Sequence, residues 1–264
     1  MSDQENMQPE TAVAAFDGFL VAFKEGKSFV LDEVNEELFT EKNLKEAYNL
    51  YKVISKQGDA DKNFPDVEKA LKESENQDII DIINHAVWLW ALPNNRNAPW
   101  IKTKKDNNRY NDKLKNIKGV AGGGSGYVQK KTNGVRYVLF LLNSLVKETG
   151  DRKTQLIGLL KGGKDYDGKY PTPDGVKNLL LHLCAPNDYE PIASTDDKKK
   201  IVRTFWMNIE RNRPKSRKEA IENLDKTIKK IRETLGLGEA SFYENSLPLL
   251  WKHEKGTELS LVQK

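Results

Sequence analysis

The stretch PTPDGVKNLLLHLCAPNDYEPIASTDDKKKIVRTF, residues 171–205, decides how this chain folds. Leucines at helical spacing predict a first helix, with Thr172 as its cap and the next proline at its first position. Pro186 and Pro191 end this helix and give a polar elbow, because the residue before a proline avoids helical geometry. Ser194 or Thr195 caps a second, basic helix. The stretch is therefore predicted to be a helix, an elbow and a helix.

Helical periodicity continues on both sides of this stretch. Apolar residues recur at three- and four-residue steps in 11–25, 41–56, 64–71, 78–92 and 216–235. Residues 135–147 fit a further buried helix, although 135–140 also fits a strand. Only the neighbourhoods of 126–131 and 247–253 otherwise allow extended structure. We expect a mainly α fold, an irregular multi-helix globular domain with at most a few short strands.

Charge divides the chain. Residues 1–97 hold 10 Lys and Arg against 19 Asp and Glu, a net charge of −9, so residues 98–264 must carry +13 to give the overall charge of +4. Residues 101–131 carry nine basic and two acidic side chains, and residues 198–232 carry 13 and 4. We therefore expect five segments: a flexible acidic N-terminus (1–10), an acidic helical half (11–97), a basic loop region (98–133), a basic helical half packed on the first (134–254) and a flexible tail (255–264).

The basic loop region is the predicted DNA-binding site. Clustered cations attract phosphates, glycines permit close backbone approach, and tyrosines can stack on bases. The residues predicted to bind DNA are Lys102, Lys104, Lys105, Arg109, Tyr110, Lys113, Lys118, Gly124, Tyr127, Lys130 and Lys131. The helix over 216–235 is a second contact or a docking face. The alternative for any single lysine is an ordinary solvated face.

Three motifs in order resemble one family. Asn84-His-Ala-Val-Trp-Leu-Trp-Ala-Leu-Pro93 comes first, then Tyr189-Glu-Pro-Ile192 with Lys-x-Ile-Val-x-x-Phe, and then Ile231-Arg, Phe242-Tyr and Leu250-Trp. Together they resemble the region before the AAA+ motor in McrB-like restriction proteins, over roughly residues 80–252. The resemblance implies a DNA-engaging recognition module of a prokaryotic antiviral defence system. Its implied partners are DNA, modified or not, a motor or nuclease, and a further copy of the chain.

The chain departs from that family in its phosphate-binding chemistry. A P-loop needs Gly-Lys-Ser or Gly-Lys-Thr after a glycine, and neither triplet occurs in these 264 residues. Gly122–Gly126 lacks the lysine, and Lys164 is followed by an aspartate. We expect the motor in a partner or in a further part of a longer protein. A protein–protein adaptor without DNA contact is the alternative function. A metal-dependent nuclease using Asp165 and Asp167 is a weaker one, because those residues also form a turn signature.

Other catalytic signals are sparse. His85, His182 and His253 are scattered without carboxylates at ligand spacing, so we expect neither an enzyme nor a cofactor or metal. His85 is expected to be a hydrogen-bonded core histidine. Trp88 and Trp90 serve either as core anchors or as the walls of a pocket for an extruded base.

The remaining expectations concern location. Cys184 is the only cysteine, and a reducing cytoplasm is the expected compartment. The acidic N-terminus resembles neither a signal nor a transit peptide, and no apolar run has the length of a membrane span.

Overall fold

Helices dominate the part of the chain that the structure describes. The structure is a computed structural model. It describes residues 10–31, 37–55, 69–71, 73–74, 76–94, 108–121, 131–162, 172–238, 240–244 and 247–252. The helices are α1 (Ala12–Lys24), α2 (Glu41–Ile54), α3 (Gln77–Ala91), α4 (Asn108–Lys115), α5 (Lys131–Leu145), α6 (Arg152–Lys161), α7 (Asp174–Cys184), α8 (Thr195–Phe205), α9 (Arg217–Glu222), α10 (Leu224–Thr234) and α11 (Leu247–Trp251). The predicted mainly α fold is confirmed.

Extended structure among the described residues is limited to two short strands. β1 (Glu10–Thr11) pairs in parallel with β2 (Ile117–Lys118), with Glu10 opposite Ile117. This pairing ties α4 and the strand after it to the start of α1. Residues 247–251, for which the sequence allowed an extended conformation, form a helix instead.

The larger hydrophobic core is built around α3. Thirteen of its fifteen residues are buried, including Trp88 and Trp90, because α2 and α5 pack on it and Phe19 of α1 packs against Trp88. Both tryptophans are thus core anchors, and the alternative of a base pocket at Trp88 and Trp90 is wrong. The strand alternative for residues 135–140 is also wrong, because they lie within α5, which packs on α2 and α3.

A smaller hydrophobic core lies in the C-terminal part. It joins α8, α9, α10 and α11 with the 3-10 turn Trp206–Asn208 that follows α8. The two cores divide near residue 192, since helices α5 to α7 pack with the N-terminal helices. This boundary between the cores differs from residue 134, the expected boundary between the acidic and basic halves. The elbow of residues 185–194 connects the two cores.

Two helix boundaries differ from the predicted ones. The predicted helix over 216–235 is broken at Asn223, whose side-chain amide donates to the Glu219 carbonyl at 3.0 Å. Its predicted ends are present: Ser216 accepts from the Glu219 amide at 3.1 Å, and Gly236 takes φ +61° after α10. At α7, Pro173 is the cap instead of Thr172, and no side-chain capping bond forms there.

Candidate nucleic-acid interface

A buried ionic network holds the elbow against α10. The Glu190 carboxylate accepts from Arg232 Nε at 3.0 Å and from Arg232 Nη2 at 2.6 Å, and Glu190 is 3% exposed. The Glu190 backbone amide donates to Asp225 Oδ1 at 2.9 Å, and Lys198 Nζ donates to the same oxygen at 2.7 Å. Two carboxylates and two cations thus join the elbow, α8 and α10, which fixes the C-terminal helices relative to the elbow.

This network changes how the basic residues of 198–232 should be counted. Lys198 is 1% exposed and Arg232 is partly buried, so neither is available to a polyanion. The charge count from the sequence included Lys198 among the basic residues of 198–232. The signal that it is buried was its spacing: Lys198, Ile201, Val202 and Phe205 lie on the one face of α8 that the core covers.

The exposed cations that remain lie within one short stretch of the chain. Between residues 203 and 226 the structure exposes seven basic side chains and three acidic ones, an excess of four positive charges (seven minus three). Lys218 makes only a long, exposed ion pair with Glu222 at 3.9 Å. We call the seven residues the basic surface: Arg203, Arg211, Arg213, Lys215, Arg217, Lys218 and Lys226.

The loop after the 3-10 turn carries three of these cations and is fixed by two hydrogen bonds, one to the turn and one from α10. Arg213 Nη1 donates to the Met207 carbonyl at 3.2 Å, and Lys230 Nζ, from α10, donates to the Asn212 carbonyl at 2.5 Å. Asn212 has φ +52°, a left-handed conformation that asparagine tolerates better than most residues. Ile209 is buried below the loop. The exposed arginines on either side of Asn212 are therefore presented from an ordered backbone.

Six of the predicted DNA-binding residues lie outside the described part of the chain: Lys102, Lys104, Lys105, Gly124, Tyr127 and Lys130. Arg109 and Lys118 are exposed on α4 and β2. Lys113 is partly covered, with its Nζ 3.8 Å from Glu10 Oε2 and 4.6 Å from the centre of the Phe29 ring. Of the predicted residues that the structure describes, Arg109 and Lys118 are thus the two most open to a phosphate.

Two residues of the predicted site are in the core instead. Tyr110 is 2% exposed, and its hydroxyl lies 3.3 Å from the Asp81 carbonyl and 3.0 Å from His85 Nδ1. Its ring has no free face for a base, so the predicted stacking role of Tyr110 is wrong. Lys131 is buried at the start of α5 and is likewise not open to a phosphate. Sequence reasoning missed this because both residues lie among polar neighbours.

His85 is a hydrogen-bonded core histidine, as predicted. Its Nδ1 lies 2.7 Å from the Asp81 carbonyl and its Nε2 lies 2.9 Å from Ser28 Oγ. Complete burial lowers the pKa of His85 to about 4, so the ring is neutral at pH 7. Burial also raises the pKa of the neighbouring Asp81 side chain to about 6. The cluster holds α4 against α3 through Tyr110.

Burial also shifts the pKa values of two further reactive side chains, His182 and Cys184. His182 is buried, with Nδ1 2.6 Å from the Tyr189 carbonyl, and burial lowers its pKa. Burial raises the pKa of Cys184 to about 12, which keeps the thiol protonated. No group of three or more His, Cys, Asp or Glu side chains suited to a metal ion occurs in the described ranges. Asp165 and Asp167 lie outside those ranges.

None of the described helices combines the length and the apolar character that crossing a bilayer requires. Comparisons with protein-family models, with curated proteins and with solved structures found no match to this chain.

Proposed function

We propose that this chain is a non-catalytic, DNA-engaging recognition module of a McrB-like prokaryotic defence system. The observation that carries the proposal is the basic surface, where seven exposed cations outnumber three exposed acids between residues 203 and 226. A field of this kind attracts a phosphate backbone, and release of counterions from DNA supplies most of the non-specific affinity. Nucleotide hydrolysis or strand cleavage belongs to a partner or to a further domain.

The contacts of the elbow support a structural, non-catalytic role for its sequence motif. Tyr189-Glu-Pro-Ile192 is one of the motifs that carry the family resemblance, and its glutamate is the residue that pairs with Arg232. The motif therefore acts as a structural clamp, because it orients α8 and α10 and with them the basic surface. Its presence needs no catalytic explanation.

Arg109 and Lys118 provide a second set of contacts. They lie on α4 and β2, which the buried Tyr110 and the β1 pairing hold against the larger core. In this proposal the basic loop region and the basic surface both contact phosphates. Phosphate contacts fix the register of the protein on DNA but read no sequence.

The experiment is a salt titration of duplex DNA binding by fluorescence anisotropy. Replacing Arg203, Arg211 and Arg217 with glutamine removes three exposed charges from the basic surface. If all three contact phosphate, the slope of log affinity against log salt should flatten by about two to three units. The matched control replaces Lys24, Lys42 and Lys45, three exposed lysines of α1 and α2, with glutamine and should leave the slope unchanged. Equal behaviour of the two triple variants would contradict the proposal.

A protein–protein adaptor is the second candidate, and one observation favours it. Leu249 and Leu250 on α11 are 62% and 41% exposed, which leaves two adjacent apolar side chains for a partner to cover. An adaptor would bind its partner through this apolar pair with little dependence on salt. Leu249→Ser with Leu250→Ser would then abolish partner binding and leave DNA binding intact.

A further inference from the structure

A groove beside the 3-10 turn combines an aromatic ring with cations. It encloses about 730 Å³, and its lining includes Trp206, Met207, Glu210, Arg213 and Lys215. Trp206 is half-buried, packed against the smaller core on one side and lining the groove on the other. Met207 is 57% exposed. The lining of the groove thus combines one aromatic ring and one methionine with two cations and one carboxylate.

The walls of the groove are held in place before any ligand arrives. Arg213, a lining residue, donates to the carbonyl of Met207, another lining residue, and Lys230 donates to the carbonyl of Asn212, which precedes Arg213 in the chain. The Ile209 amide donates to the Trp206 carbonyl at 3.4 Å, and its side chain is buried beneath. A ligand therefore meets a formed site, which lowers the entropic cost of binding.

We propose that this groove binds an unpaired base of a single-stranded nucleic acid, with Trp206 stacking on the base and Arg213 and Lys215 beside its phosphates. The inference rests on the proposed function and names the form of nucleic acid that this part of the basic surface prefers. An aromatic face next to cations is the arrangement by which proteins hold single strands without reading their sequence. In a duplex both faces of each base are already stacked, so a duplex contacts the cations alone.

Single strands and duplexes should therefore respond differently to changes at Trp206. The probe is a fluorescein-labelled oligothymidylate of about twelve nucleotides, within the roughly 4–16 nucleotides that one such site covers. The comparison probe is a labelled duplex of equal length. Trp206→Leu keeps an apolar side chain against the core but removes the stacking face, and Trp206→Phe restores an aromatic ring.

We expect Trp206→Leu to weaken oligothymidylate binding about tenfold, a loss within the range for one stacked base. Duplex affinity should change less than about twofold, since phosphate contacts are kept. Trp206→Phe should recover most of the loss. If the leucine variant loses its helical circular dichroism, the test uses the tryptophan fluorescence of the unmodified protein. Oligothymidylate should quench this emission and polyglutamate should not.

Several results would overturn the inference. An unchanged affinity in Trp206→Leu, or an equal loss for single strand and duplex, would leave Trp206 a structural residue only. Displacement of oligothymidylate by polyglutamate at equal charge would make the groove a general polyanion surface. A parent that binds the duplex but not the single strand contradicts this inference alone, whereas a parent that binds neither contradicts the proposed function as well.

Discussion

Removing one partner of the ion pair formed by Glu190 and Arg232 should destabilise the C-terminal helices. Glu190→Gln keeps the shape of the side chain but removes its charge, which leaves the Arg232 guanidinium without its carboxylate. Removing one partner of a buried ion pair lowers the free energy of unfolding by about 3–5 kcal/mol, because the other charge stays buried without its partner. Arg232 is 18% exposed and also donates to the Gly238 and Ala240 carbonyls, so water and these bonds offset part of that cost. We expect a loss of about 2–3 kcal/mol in the free energy of unfolding, scaled down from that range.

The assay is urea unfolding followed by circular dichroism. Glu233→Gln is the matched control, because Glu233 is exposed on the same helix as Arg232 and should change stability by less than about 0.5 kcal/mol. The double variant Glu190→Gln with Arg232→Gln should lose less than the sum of the single losses, since neither charge is then left alone. A Glu190→Gln protein as stable as the Glu233→Gln control would refute the reasoning that the elbow is clamped by this pair.

The remaining predictions concern the larger core and α6. Burial lowers the pKa of His85 from 6.5 to about 4. The stability that depends on a neutral His85 is therefore complete above pH 6.5 and is lost as the pH falls toward 4. Burial raises the pKa of Asp81 from 3.8 to about 6, so its destabilising charge is relieved over nearly the same range, and stability should vary little with pH. At about 1.4 kcal/mol per pKa unit, Asp81→Asn should raise the free energy of unfolding by up to about 3 kcal/mol at pH 7. Because only His85 of the two then titrates, the free energy of unfolding of this variant should fall by about 3 kcal/mol between pH 7 and pH 4. A free energy of unfolding of the variant that does not change with pH would contradict this. Gly134→Ala should destabilise by about 1–3 kcal/mol, since a Cβ there lies 2.6 Å from the Trp90 ring. Gly158→Ala, with open space at its Cβ, should instead stabilise α6 by up to about 1 kcal/mol in the same urea assay.

Helix positions could be predicted well where caps and apolar periodicity coincide. The helices at 12–24, 41–54 and 77–91 begin at Thr11, Thr40 and Asn76, whose side chains accept backbone bonds as such caps should. The break at Asn223 was not predictable from apolar spacing, because the stripe continues through it. At the break the Asn223 side-chain amide adds a second hydrogen bond to the Glu219 carbonyl, and the Thr227 hydroxyl donates to the Ala220 carbonyl at 3.0 Å.

The candidate site was harder to predict than the fold. Charge counts located the basic residues of 198–232, but such a count treats a buried cation and a surface cation alike. Lys198 and Arg232 are in fact paired with carboxylates in the interior. Tyr110 illustrates a related error, since its hydroxyl completes a buried cluster with His85, which lies 25 residues away in sequence. Contacts over such separations leave no local pattern for sequence reasoning to detect.

The most direct measurement of the central claim is duplex DNA affinity of the unmodified chain as a function of salt. The account predicts binding near 50 mM salt, with a slope of log affinity against log salt of about −3 or steeper if at least four cations contact phosphate. A surface that does not neutralise phosphates releases no DNA counterions and shows no such slope. No binding near 50 mM salt, or an affinity that is independent of salt, would contradict the account and favour the adaptor.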